Sequence, residues 1–341
     1  MIPNIFDIAT KELHQDAFIV WLLKWADPEN KKYDPLLCAC GQDFVKQLIA
    51  KQSQDSISSI EKVKAGRQKD NIDIWAEVST TENSYFIIIE DKIFSKQHGK
   101  QLVKYEEHGE LHALETKFKS IYIYLKTGSE SIIEMNSGLS NFKSFIRKDF
   151  INIFKRHENI SNNIFLDFKS RLIRLDDGYK AFNSSIIYSW TEDYWIGFYE
   201  FLETQFSDLN WSFVNRRDGS GFWNAYFIPA INDRWNGHSV YLQIEQGRLC
   251  FKINTDDSEK DRTKLKFLRN ALGKIIFDKA EILKINEIQK PKSLGIGNAM
   301  TVAVIESETW LGPSDSIIDK EAVINRLKRY RAFLGDVLRS N

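Results

Sequence analysis

Two stretches decide the fold: Ile72-Asp73-Ile74-Trp75-Ala76-Glu77-Val78 and, one polar turn later, Tyr85-Phe86-Ile87-Ile88-Ile89-Glu90-Asp91-Lys92. Both are short, β-branched or aromatic runs bounded by polar residues, which is how strands read. The second is apolar on both faces, as in a central strand covered by helices. Side chains alternate along a strand, so Glu90 and Lys92 share a face at its end. Antiparallel pairing of the two strands sets the start of one beside the end of the other. Asp73 then joins Glu90 and Lys92, and two carboxylates and an ammonium occupy one sheet edge. Asp91 points to the opposite face and reads as solvated or as a helix cap.

Working outward, residues 60–66 form a third such run, 97–114 repeat at helical spacing and 120–125 read as a further strand, which gives the order β-β-β-α-β. Helices are expected over 10–25, ended by Asp27-Pro28, and over 42–51. More follow over 141–156, 164–175 and 190–206. From Trp211 the pattern turns to strands, at 211–215, 222–228, 239–245 and 248–253, the last two joined by a Gln246-Gly247 turn. A helix over 260–272, a strand at 301–305 and a helix over 321–338 complete a second unit. The fold class is therefore α/β, a mixed central sheet flanked by helices, followed by an α+β domain with an antiparallel sheet. The boundary is expected near residue 180, giving domains 1–180 and 181–341.

An acid, any residue and a lysine also occur at Glu29-Asn30-Lys31 and Glu115-Thr116-Lys117, so the triplet alone says little. Only Glu90-Asp91-Lys92 ends a buried apolar strand. The bland reading is a surface ion-pair cluster. The chemical one is a site for a hard divalent cation, since Mg²⁺ takes oxygen ligands and keeps several waters. Asp73, Glu90 and the Asp91 backbone carbonyl supply such oxygens. Lys92 beside them can orient a water and stabilise charge building on a phosphorane. Phosphodiester hydrolysis is the natural reaction of that set.

With those residues the chain resembles the PD-(D/E)xK nuclease superfamily, in the motif Asp73 then Glu90-Asp91-Lys92. Gln101-x-x-x-Tyr105 on the next helix looks like the signature of its RecB-like and lambda-exonuclease-like branch. Gly66-Arg67 is similar to the Gly-Arg-x-Asp opening of that branch, with extra residues between Arg67 and Asp73. The resemblance implies a restriction-endonuclease-like core over 1–180 and an accessory domain that binds substrate or partner. It implies Mg²⁺ (or Mn²⁺) as cofactor, Gln101 and Tyr105 facing the site, and an N-terminal-helix glutamate completing the metal shell. Glu12 is the match for that glutamate and His14 the alternative. DNA is the implied nucleic acid and bacterial genome defence the implied setting.

Lys96, Lys100 and Lys104, with Arg67, are the candidate phosphate contacts beside this site. The chain carries 47 Lys+Arg and 47 Asp+Glu, so any polyanion surface must be local. That neutrality also leaves room for a second reading, a nuclease-like nucleic-acid or protein interaction module with little or no catalysis. Arg216-Arg217-Asp218-Gly219-Ser220-Gly221-Phe222-Trp223 combines cations, glycines and aromatics, as a hairpin turn or a contact loop would. Gly295-Ile296-Gly297-Asn298 lacks the Lys-Ser/Thr of a phosphate loop and reads as a turn. Cys38, Cys40 and Cys250 fit neither a disulfide framework nor a zinc site. No Gly-x-Ser-x-Gly or His-Glu-x-x-His occurs, which removes the serine-hydrolase and zinc-protease classes. The first ten residues lack a signal-peptide pattern and no apolar run nears the roughly 20 residues of a membrane span, so a cytoplasmic protein is expected. Cutting both strands would suit a homodimer, and with no helicase or ATPase motif a separate activator or motor protein would drive any translocation.

Overall fold

The computed structural model describes residues 3–96, 101–215, 219–230, 234–255 and 261–339. Backbone contacts divide the chain into two compact units, one running to residue 130 with 134–177, the other comprising 131–133 and 178 onward.

In the first unit the short helix α1 (Ile5–Ile8) precedes α2 (Glu12–Trp25), a 3-10 turn (Pro28–Lys32) and α3 (Pro35–Ala50). Then come β1 (Ile60–Lys69), β2 (Ile72–Thr80), β3 (Ser84–Lys92), α4 (Gln101–Thr116) and β4 (Lys119–Lys126). The unit closes with α5 (Ile132–Ser137), β5 (Lys143–Ile146), α6 (Arg147–Arg156) and α7 (Asn163–Lys180), the boundary falling within α7. The sheet order is β1-β2-β3-β4-β5. The first two pairings are antiparallel and the last two parallel, the mixed sheet of a restriction-endonuclease-like fold.

β3 sits at the centre because both of its faces are apolar. Tyr85, Ile87 and Ile89 enter one core with Phe18 and Leu22 of α2 and Phe44 of α3. Phe86 and Ile88 enter another with Leu102 and Tyr105 of α4. Each buried isoleucine contributes on the order of 2–3 kcal/mol, which fixes β3 between two helical layers. The β1–β2 hairpin turns on Asp70 and Asn71, both at positive φ (56° and 65°), the conformation of a two-residue primed turn. These are the extra residues between Arg67 and Asp73. Gly66 lies under the Trp75 indole, where a Cβ would stand 2.8 Å from a ring carbon.

Three readings are corrected here. Residues 143–146 form edge strand β5 before α6, paired in parallel with β4 (Ile123 opposite Lys143, Leu125 opposite Phe145) with Phe145 buried, where a helix was expected. Helix α3 starts seven residues before 42, where Asp34 caps it by accepting from the Leu36 and Leu37 amides and Pro35 takes the first turn. Such a cap is worth about 1 kcal/mol. Asp91 is buried, not solvated, since its face of β3 lies under α2.

The second unit holds α8 (Glu192–Gln205), β6 (Leu209–Asn215), β7 (Gly221–Phe227), β8 (Arg234–Trp235), β9 (His238–Glu245) and β10 (Arg248–Asn254). These are followed by α9 (Arg262–Ile282), β11 (Ala299–Ile305), α10 (Ser307–Trp310) and α11 (Lys320–Arg339). The sheet is an antiparallel meander, β11-β10-β9-β7-β6, with β8 paired to β9. Gln246 and Gly247 make the β9–β10 turn at positive φ. Residues 216–218 of the expected contact loop and Lys260 lie outside the described residues. Helix α9 extends ten residues beyond the expected 272, because Ile276 and Ala280 continue its buried face. The three cysteines are buried thiols. Among the described residues no helix is long and apolar enough to cross a membrane.

Candidate active site

The antiparallel register pairs Ile74 with Ile89, so Asp73 on β2 meets the end of β3. Its Oδ2 accepts from the Asp91 amide at 3.2 Å. On β3, Glu90 and Lys92 share the face toward α4, and Glu90 is fully buried. Lys92 Nζ lies 2.5 Å from Glu90 Oε1, 3.7 Å from Asp73 Oδ2 and 3.9 Å from Glu12 Oε2, and it donates to the Asp91 carbonyl at 3.1 Å. Glu12 opens α2. The Ile93 amide (3.0 Å) and the Ser95 hydroxyl (2.6 Å) donate to its Oε1, leaving Oε2 toward Lys92. Three carboxylates and one carbonyl thus surround a single ammonium. With every carboxylate ionised, two negative charges remain unbalanced.

That surplus shows in Glu90, whose carboxyl is pushed up to about 7 by burial and by the neighbouring Asp73 charge, with Lys92 pulling the other way. For Lys92, burial works against the charged form, yet Glu90, Asp73 and Glu12 together hold it above the ordinary lysine value.

Helix α4 secures the second oxygen of Glu90. Gln101 Nε2 donates to Glu90 Oε2 at 2.9 Å and to the Tyr105 hydroxyl at 2.8 Å. Tyr105, buried four residues on, donates in turn to the carbonyl of Asn71 in the β1–β2 turn. The pair therefore ties the site carboxylate to the hairpin that carries Asp73. Burial and the Glu90 charge raise the Tyr105 phenol, which stays protonated and able to donate.

The opposite face of β3 holds groups that the sequence reading missed. Gln15 Nε2 donates to Asp91 Oδ1 at 2.7 Å, and Thr127 donates to Gln15 Oε1 at 2.6 Å. Asp16 is buried beside Asp91. Burial lifts the Asp16 carboxyl to about 6 and pushes Asp91 well above the usual carboxylate range, each raised further by a neighbouring acid. The available signal was their spacing: Gln15 and Asp16 lie three and four residues after Glu12, on the helix face that Glu12 presents, just ahead of the apolar run from Ala17. Lys126, paired with Lys92 across β3 and β4, was missed too. It donates to the Ser95 carbonyl and lies 3.4 Å from Glu130, and burial lowers it.

The remaining sequence candidates divide. His14 accepts from the Lys11 amide at 3.3 Å as part of the α2 cap. Arg67 donates to the Leu13 carbonyl at 3.0 Å, and Lys96 pairs with Glu134 at 2.8 Å. Lys104 is exposed on α4, and Lys100 lies outside the described residues.

The donor set fits a divalent cation in its chemistry: all hard oxygens, two surplus negative charges and a strand carbonyl between the acids. Among the described residues no three His, Cys, Asp or Glu side chains form a ready-made metal cage. The carboxylates converge on the Lys92 ammonium instead, which occupies the centre of their charge.

The model of the PD-(D/E)XK nuclease superfamily matches residues 3–194, which include every group just described. No curated protein and no solved structure matches the chain. With more than half its length matched and the acid, acid and lysine side chains gathered at one sheet edge, the chain belongs to the PD-(D/E)XK nuclease superfamily.

Proposed function

We propose that this chain hydrolyses phosphodiester bonds of DNA with the help of Mg²⁺ (or Mn²⁺), through a site of the RecB-like type with its Gln101/Tyr105 pair. The observation that carries this reading is the gathering of Asp73, Glu90 and Glu12 within 3.9 Å of one ammonium, with negative charge to spare. Asp73, Glu90 and the Asp91 carbonyl would hold the cation, with Glu12 completing the shell. When bound, such an ion makes water a nucleophile near neutral pH and neutralises phosphate charge.

The protein side of the chemistry follows from the contacts. Lys92, held protonated by its carboxylates, donates at its Nζ to the attacking water or to a phosphate oxygen. Gln101 orients Glu90 so that one oxygen faces α4 and the other faces Lys92. Tyr105 fixes Gln101, and Glu12 draws the 93–95 turn over the site. Lys104, exposed on α4, would meet a flanking phosphate. Such a hydrolase would serve defence by destroying foreign DNA.

The test is cleavage of labelled single- and double-stranded DNA and RNA by the full chain, with Mg²⁺, with Mn²⁺ and with chelator. Cutting of DNA that needs the metal, and that Asp73→Ala and Lys92→Ala each abolish while the fold persists, is the expected result. Cutting that survives both substitutions, or no cutting of any substrate, overturns it.

A further inference from the structure

The chain as a whole is neutral, yet its charge is not spread evenly. In the second unit α9 carries six Lys and Arg against Asp278 and Glu281, and α11 carries six against Glu321 and Asp336. Both helices cover the apolar face of the meander. Phe333 of α11 packs edge-on to Phe251 of β10 at 5.9 Å, and Gly273 of α9 lies against Val302 of β11. Apart from buried Arg269, most of their cations are exposed.

On α9 the positions Arg262, Lys266, Asn270 and Lys274 recur every fourth residue and are all exposed. Four residues of helix rise about 6 Å, a step comparable to the spacing of phosphates along a nucleic-acid strand. No ion pair among the described residues holds Lys266 or Lys274. Next to this row lies a groove of about 400 Å³ lined by Arg269, Lys274, Phe277 and Lys290, with Asp278 its one acid. Lys290 stands 5.8 Å over the Phe277 ring, and Phe267, one position along from Lys266, is 68 % exposed. Arg269 is buried and held by the Gly295 carbonyl at 2.9 Å, so the base of the groove is a fixed charge.

Cations in a row and an aromatic ring open to solvent suit a nucleic-acid strand: charge for its phosphates, a face for a base. We propose that the α9 surface, with its Arg269/Lys274/Phe277/Lys290 groove, is a second nucleic-acid-binding site that grips a single strand through its backbone. It goes beyond the hydrolytic site, because binding here needs neither metal nor cleavage. It also gives an otherwise neutral chain the local basic surface that a polyanion partner demands.

The test is binding of fluorescent single-stranded and duplex oligonucleotides to the full chain in chelator, so that nothing is cut, across a series of salt concentrations. Lys266→Glu, Lys274→Glu and Lys290→Glu together should weaken single-strand binding about tenfold or more. They should also lower the slope of log affinity against log salt by about 2, three contacts at roughly 0.7 each. Lys31→Glu, Lys148→Glu and Lys155→Glu, exposed cations of the first unit, make the same change in net charge and should cost less than about twofold. The milder pair Lys274→Gln and Lys290→Gln should give an intermediate loss and answers the case in which triple reversal unfolds the chain. Equal loss in the two triple variants, unchanged binding in the α9 variants, or binding only to phosphatidylserine vesicles overturns the proposal. Wild type that binds but never cuts contradicts the hydrolytic reading alone, whereas cutting with binding indifferent to α9 contradicts this one alone.

Discussion

Each unit holds a lysine on a strand, only 8 % exposed, paired with a glutamate, and the two pairs differ in what surrounds them. In the second unit Lys252 lies 2.7 Å from Glu245, whose other oxygen meets Arg248 at 3.4 Å, while Gln243 and Thr301 satisfy the remaining groups. One carboxylate there faces two cations. In the first unit three carboxylates face Lys92 alone. An equally buried lysine paired with a glutamate can thus be a finished structural pair or the core of an unfinished site. The difference lies in the charge left over, and a surplus of hard anionic oxygens is what attracts a divalent cation.

The largest effect should come from breaking the surplus side. Asp73→Ala or Lys92→Ala is expected to lower metal-dependent DNA cleavage by about 10³-fold or more, the scale of removing a metal ligand or a group that stabilises transition-state charge. Glu245→Gln should leave cleavage unchanged. It strips a buried lysine of its counter-charge, so urea unfolding should show a loss of about 2–4 kcal/mol.

Stability in the presence of metal sharpens the same contrast. Mg²⁺ or Mn²⁺ well above its dissociation constant should raise the melting temperature of wild type and of Glu245→Gln by a few degrees, about 2–3 kcal/mol of linkage. It should do nothing for Asp73→Asn combined with Glu90→Gln, and a rise in that variant would place the cation elsewhere.

A pH series without metal separates the pairs further. Glu90 titrates near 7 in the folded chain, above an ordinary glutamate, so between pH about 4.5 and 7 the folded state holds a proton that the unfolded state has lost. Stability should therefore fall as pH rises through that window and level off above it. Glu90→Gln should remove its share of this slope in thermal unfolding and leave the share of the raised Asp16 and Asp91 carboxyls, and Glu245→Gln should keep the whole slope. The smallest effect is expected for Tyr105→Phe, which removes the hydrogen bond to Asn71 and costs about 1 kcal/mol in denaturant unfolding, with a modest loss of cleavage rate.

The order of the central strands and the meeting of Asp73, Glu90 and Lys92 were legible because period-two alternation and an all-apolar run leave few alternatives. That Gln101 and Tyr105 share one face of α4 was legible from helical spacing and their turn toward the site from the resemblance, whereas the bond of Gln101 to Glu90, rather than to Lys92, was not. What could not be read was the charge environment. Asp91 looked like a surface acid because a strand's alternation says which face a side chain takes, not what covers that face. Here α2 covers it with Gln15 and Asp16. Edge strand β5 was hidden because its four residues run directly into α6 without a turn signal. Lys96 looked like a substrate contact, but Glu134, distant in sequence, claims it. The basic helices α9 and α11 were invisible in a net charge of zero, since the rest of the chain carries the compensating acids.

Titration of the metal-free chain with Mn²⁺, followed by electron paramagnetic resonance of the free ion, tests the central claim most directly because it requires no substrate and no turnover. The account predicts a saturable site on the wild-type chain that Asp73→Asn with Glu90→Gln removes and Glu245→Gln leaves intact. Equal Mn²⁺ uptake by wild type and the Asp73/Glu90 variant, or no uptake by wild type, would contradict it.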